Sequence, residues 1–231
     1  MILRHIRIPP VGLPGTLWLP HAPKGLVAFV QGSGSGRFDS RSSALAAALS
    51  QRGLATLLLD LLTLQEERLH GNIFDIGLLA RRLVGIISWV EAQPDLAELP
   101  FGVFAAGTAA AAALVAAERG PLQAIVTYAG RPDLALDVLE DVRTPVLLLV
   151  PQNQGQMVTD NQFAYERLKD PKSIRLIPWA GRPCHEADAI AGIVDLASHW
   201  FTLHLRPAPF GEARPSFDAA RPAPTDPSAR A

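Results

Sequence analysis

The chain predicts an α/β protein with a doubly wound, mostly parallel sheet and an N-terminal antiparallel hairpin. Three observations carry that expectation. Short continuous apolar runs alternate with longer segments of helical periodicity along most of the 231 residues. Strands that are apolar on both faces mark a parallel sheet covered by helices. The two extended runs at the start are punctuated by Pro9, Pro10 and Pro14 with no helix between them, which reads as a hairpin or edge pair. A hydrophobic share of 48% against 19% charged supplies the interior such a sheet needs.

The elements follow in order. The extended runs lie near residues 2–8 and 15–19. Gly25-Leu-Val-Ala-Phe-Val30 is too short for a helix, is apolar throughout and reads as a strand covered on both faces. A helix runs from about Ser40 to Arg52, and Gly53 is placed to stop it. Leu54 to Asp60 is the next strand. Phe74 to Gln93 repeats Ile76, Leu79, Leu83, Ile86, Ile87 and Val90 at helical spacing, with Arg81 and Arg82 assigned to the opposite face. Then come a strand at 101–105, a helix at 108–118, a strand at 122–128 and a short helix near 133–141. A strand at 145–150, a helix near 160–168, a strand at 173–177 and a helix from about 187 to 204 complete the alternation, with right-handed crossovers. Residues 1–205 are thus expected to form one domain. From Arg206 the chain turns to Pro207, Pro209, Pro215, Pro222, Pro224 and Pro227 among Ala, Arg and Ser. Residues 206–231 read as a disordered or extended tail, or as a docking segment for a proline-binding protein partner.

Composition narrows the function classes. The net charge is −1, which gives no electrostatic case for nucleic acid or an anionic membrane. A single cysteine, Cys184, excludes an internal disulfide and fits a reducing compartment. The N-terminus lacks a signal-peptide pattern, and no run reaches the ~20 apolar residues of a membrane span; the cytoplasm is the expected location. His5, His21, His70, His199 and His204 are scattered without metal-ligand spacing, so no metal is expected. Gly32-Ser-Gly-Ser-Gly36 follows a strand, with Asp60 closing the next one. That invites a dinucleotide reading. The third glycine of the fingerprint would fall at Arg37, however, and the helix starts near Ser40. No cofactor is therefore expected, although the loop backbone with Arg37 or Arg41 suits an anion.

A set of stretches in order resembles the dienelactone-hydrolase-like branch of the α/β-hydrolase superfamily. They are Val27-Ala-Phe-Val-Gln-Gly-Ser-Gly-Ser35, Leu58-Leu-Asp-Leu-Leu-Thr63, Phe74-Asp-Ile-Gly-Leu-Leu-Ala80, the small-residue helix after Gly107, Gly130-Arg-Pro-Asp-Leu-Ala135 and Trp200-Phe201. The resemblance runs from about residue 25 to residue 202. It implies the α/β-hydrolase fold and hydrolysis of an ester, lactone or thioester by a Ser-Asp-His triad.

That chemistry needs a hydroxyl on a strained turn, a histidine base, an acid that orients it, and backbone N–H groups for the oxyanion. The resemblance places the nucleophile in Ala105-Ala106-Gly107-Thr108-Ala109, where Gly107 stands at the serine position. It places the acid in Pro151-Gln-Asn-Gln-Gly-Gln156, which holds no carboxylate; Gln154 matches best. It places the histidine at Arg182 in Trp179-Ala-Gly-Arg-Pro-Cys-His185, and the His-Gly that often opens the oxyanion loop at Gln31-Gly32. Four departures at the four required places imply a catalytically degenerate homologue. Gln31, Gly32, Ser33, Gly107, Thr108, Gln154 and Arg182 are then expected to line a site for a small acyl or carboxylate ligand, or to serve a protein partner. The alternative is an active hydrolase using displaced residues, with His185 as base and Cys184, Thr108, Ser33 or Ser35 as nucleophile. Asp60 is read as part of a structural run, and Arg131 with Asp133 as an ion pair or helix N-cap.

Overall fold

The computed structural model describes residues 1–32, 40–118, 122–178 and 183–206, the side chains of 183–188 excepted. The tail expected beyond Arg206 lies outside the described residues, as do Ser33, Ser35, Arg37, Arg182 and the side chains of Cys184 and His185.

Eight strands form one sheet in the order β1-β2-β4-β3-β5-β6-β7-β8. They are β1 (Ile2–Ile8), β2 (Leu13–Leu19), β3 (Leu26–Gln31), β4 (Ala55–Asp60), β5 (Phe101–Gly107), β6 (Ala124–Gly130), β7 (Val146–Pro151) and β8 (Lys172–Ile177). β1 pairs antiparallel with β2, and β2 antiparallel with β4; every later pairing is parallel. The direction of winding reverses between β3 and β5, which opens a crevice at their carboxyl ends. β3, β4 and β7 are buried almost along their whole length, as strands covered on both faces must be.

Among the described residues seven helices, α1 (Ser40–Gln51), α2 (Leu64–Glu67), α3 (His70–Phe74), α4 (Ile76–Glu91), α5 (Ala109–Ala117), α6 (Gly155–Arg167) and α7 (Pro183–His204), join a 3₁₀ segment at Pro132–Val138. α1 and α7 cover one face of the sheet, with Leu45, Leu49, Ile193, Val194 and Phe201 in the core there. α4, α5 and α6 cover the other, with Leu79, Leu83, Ile86, Ile87 and Ala164 inside. Each leucine, isoleucine, valine or phenylalanine among them contributes about 1.5–3 kcal/mol by leaving water. Gly53 ends α1 as expected. Its φ is +89°, and the N–H groups of Gly53 and Leu54 close back on Ser50 O and Leu49 O, a Schellman stop. No helix among the described residues is long and apolar enough to cross a membrane.

Several elements differ from the sequence expectation. α6 starts at Gly155, five residues early, because Met157 and Val158 pack on the core and outweigh the weak helix propensity of Gly, Val and Thr. The segment near 133–141 is a 3₁₀ run with non-helical backbone at Ala135. The short helices α2 and α3 were not anticipated. Thr63 starts α2 with a capping box: Glu66 N–H donates to Thr63 Oγ1 at 3.2 Å, and Thr63 N–H donates to Glu66 Oε2 at 2.9 Å.

Glu66 also corrects the reading of α4. Arg81 faces solvent, but the Arg82 side chain is only 17% exposed and its Nη2 donates to Glu66 Oε1. Burial alone would raise the Glu66 carboxyl; the hydrogen bonds from Thr63 and the charge of Arg82 outweigh it and hold it below its ordinary value of 4.5. A carboxylate with a depressed folded pKa adds stability that is complete above its unfolded value and is lost as pH falls through the folded one. Glu66→Gln keeps the cap geometry and loses the charge. It is expected to cost roughly 1 kcal/mol at neutral pH, with the gap to the parent protein closing as pH drops below 4.5. Urea melts at a series of pH values measure this.

Candidate functional site

β5 turns into α5 through one left-handed residue. Gly107 has φ +58°, and Thr108 is already helical at φ −67°, ψ −22°. A strand, a single strained residue and a helix make up the corner on which a hydrolase nucleophile is presented. The sequence puts glycine there, and a Cβ built on it would meet nothing within 4 Å. Gly107 O accepts from Arg131 N–H at 3.0 Å, which fixes the corner to the start of the 3₁₀ segment.

The neighbouring strand is irregular at the same level. Ala106 pairs with Tyr128 and Gly107 with Gly130, so Ala129 is passed over as a bulge. Its φ is +48°, uncommon for a residue with a Cβ. Bulges re-aim side chains and gather beside active sites.

Thr108 sits behind the corner. It is 7% exposed and makes no capping hydrogen bond. Its hydroxyl lies against Gly32: a Cβ on Gly32 would fall 2.0 Å from Thr108 Oγ1. Thr108 therefore packs the loop after β3 onto the elbow. Gln31, the last residue of β3, is in register with Asp60 on one side and Ala106 on the other. Its Nε2 donates to Ser42 Oγ at 2.6 Å, joining β3 to α1. Asp60 is buried at the end of β4.

Gln154 immediately precedes α6, with no side-chain cap bond. Cys184 and His185 fall in the first turn of α7. Of the two readings for Arg131 and Asp133, the structure gives the ion pair. Arg131 Nε and Nη2 donate to the carboxylate at 2.9 and 2.7 Å, an arrangement that strengthens the charged form of Arg131. The N-cap position of the 3₁₀ segment belongs to Arg131 itself.

Two cavities open at the carboxyl edge of the sheet. The larger, about 180 Å³, is lined by Phe29, Val30, Gln31, Arg41, Ser42, Leu45, Phe104, Ala106, Tyr128 and Ala129. The smaller, about 110 Å³, is lined by Arg41, Tyr128, Ala129, Pro151, Gln154, Ile177, Pro178, Ala189, Ile190 and Ile193. They share Arg41, Tyr128 and Ala129. Of the residues expected to line a site, Gln31 stands in the first and Gln154 in the second. Gly32, Gly107 and Thr108 form the backbone corner beside the first, through Ala106. The sequence reading missed Tyr128, Ala129 and the apolar wall of Phe29, Leu45 and Phe104. Strand carboxyl ends at a point of reversed winding were the available signal for Tyr128. Nothing in the sequence marks the Ala129 bulge.

No family model matches the chain. Two Mycobacterium tuberculosis proteins, from strains CDC 1551 and H37Rv, carry a provisional phosphoribosyl transferase name. Each is 42% identical to this chain over 205 residues, and the match covers 87% of this chain and 46% of theirs. The chain thus spans about half the length of these curated relatives. The crystal structure of dienelactone hydrolase from Anabaena variabilis superposes with a TM-score of 0.81 at 41% identity, over 89% of this chain and 98% of that one. A dienelactone hydrolase-like promiscuous phosphotriesterase from metagenomic libraries shares the fold at 17% identity and a TM-score of 0.67, over 86% of this chain and 98% of its own.

Proposed function

This chain belongs to the dienelactone hydrolase family of α/β-hydrolases, and on that premise we propose that it is a non-catalytic member that binds a small acyl or carboxylate ligand at the carboxyl edge of its sheet. One observation carries the proposal: the elbow keeps its left-handed backbone, φ +58°, at a residue without a side chain. An ester carbonyl brought to this corner would meet no side chain at residue 107. The acid position, Gln154, supplies a neutral amide. Beside the corner lies a cleft, with Arg41, Gln31 and Gln154 among its walls, which suits a ligand with a polar or anionic end.

Hydrolysis of p-nitrophenyl acetate tests the catalytic half. The expected rate equals that of a Cys184→Ala/His185→Ala double variant, whereas a working triad is worth about 10⁶ in kcat. Gly107→Ser is expected to fold, losing about 1–2 kcal/mol to the left-handed backbone, and to remain at the same rate, because a hydroxyl without a base is a poor nucleophile. Thermal shift with acetate and propanoate tests the binding half; at one hundred times Kd a ligand adds about 2.7 kcal/mol. Turnover that depends on Cys184 and His185 would overturn the reading. It would favour a hydrolase that uses displaced residues, an alternative supported by the place of that pair just after β8.

A further inference from the structure

The two cavities of the cleft differ in kind. In the larger one, Phe29 and Phe104 stack with centroids 4.8 Å apart and planes 20° apart, and Leu45 completes the apolar wall. The polar pair in that wall, Gln31 and Ser42, is hydrogen-bonded to itself. Its 180 Å³ compares with the roughly 150 Å³ of an apolar cavity that takes a benzene ring. The smaller cavity is reached past Arg41, Tyr128 and Ala129, and Gln154 supplies an amide there. The left-handed Ala129 stands where the two meet. Strained residues of this kind persist where a site over-determines them.

We infer that the ligand is a monocyclic aromatic carboxylate, its ring held between Phe104 and Leu45 and its carboxylate arm carried past Tyr128 toward Gln154. The inference rests on the ligand-binding reading above and narrows it. A ring of this size fills the larger cavity without displacing its lining, and it meets aromatic neighbours that favour offset or edge contacts. A straight acyl chain of equal length finds the same apolar surface without those contacts.

The test compares 3-phenylpropanoate, hexanoate and propanoate by calorimetric titration of the full chain. NMR then looks for cross-peaks between ligand ring protons and the Leu45 methyl groups. Phenylpropanoate is expected to bind about two- to twelvefold more tightly than hexanoate, the range that an aromatic contact supplies, and to show the Leu45 cross-peaks. Ala106→Leu, placed on the half-buried end of β5, is expected to weaken phenylpropanoate at least tenfold, and by more than it weakens propanoate. Equal affinity for phenylpropanoate and hexanoate, or ring cross-peaks to other residues only, overturns the aromatic inference and leaves the carboxylate reading standing. Binding of benzyl alcohol without binding of any carboxylate overturns both the inference and the carboxylate reading. Failure of every probe to bind does the same.

Discussion

Phe201→Ala is expected to remove about 3–5 kcal/mol of stability and to lower Tm by roughly 6–20 °C for a chain of this size. Phe201 is fully buried on α7, in the core between that helix and the sheet. Its ring rests on β5 at Gly102, where a Cβ would lie 2.8 Å from the ring. Glycine at this point is a packing requirement: it lets a large aromatic approach a central strand that lacks a side chain there. Gly102→Ala should therefore cost about 1–3 kcal/mol by overpacking. In the Phe201→Ala background the same methyl group enters the vacated space, so the double variant should lose less than the sum. Urea denaturation of the four proteins measures the coupling. Additive losses within about 0.5 kcal/mol would show that the ring does not bear on Gly102. The loss is large against the 5–15 kcal/mol typical of a folded domain. It would strike the same strand that ends in the elbow.

The architecture was legible because its strongest signal is periodicity. The apolar runs Leu26–Gln31, Ala55–Asp60 and Val146–Pro151 cannot lie on a surface, and the spacing of Leu79, Leu83, Ile86 and Val90 fits a helix and nothing else. What escaped was local and polar. Thr63-Leu-Gln-Glu66 carries the spacing of a capping box, but no apolar run follows it, so α2 had no second signal. Arg82 was assigned to solvent by its helical angle. The Glu66 carboxylate, which draws it inward, lies 16 residues away. At the site, the elbow was legible from a strand, a small-residue helix and the glycine between them. Its left-handed φ comes from the structure. The cleft was legible only at its rim. Gln31 stands at the end of β3 and Gln154 in the loop after β7, places the sequence marks, whereas the stack of Phe29 on Phe104 depends on β3 and β5 being neighbours in register. That pairing is a long-range fact with no trace in either strand alone.

Gly32→Ala is expected to lose about 1–3 kcal/mol, and Thr108→Ala is expected to return part of it. The added methyl would fall 2.0 Å from Thr108 Oγ1, 3.3 Å from Thr108 Cβ and 3.4 Å from the Ala109 nitrogen. Thr108 is buried, so its hydroxyl has little room to turn clear of the first contact, and the loop after β3 must move off the elbow. With alanine at 108 only the 3.3 Å carbon contact is tighter than usual, since 3.4 Å to the nitrogen is ordinary packing, and a few tenths of an ångström accommodate it. Denaturant melts of the single and double variants should therefore give a coupling of opposite sign to the Gly32→Ala loss. Gln31 adjoins the displaced residue and lines the larger cavity, so propanoate should protect Gly32→Ala less than the parent protein and regain its effect in the double variant. The same pair of proteins separates two roles for Thr108. A residue that spaces two backbone segments is missed in melts and not in turnover; a nucleophile is missed in turnover first. Thr108→Ala with an unchanged p-nitrophenyl acetate rate, and with Gly32→Ala partly rescued, identifies the hydroxyl as packing. A drop in ester turnover on Thr108→Ala would make it the attacking group, and the corner at Gly107 would then have passed its function one residue along the helix.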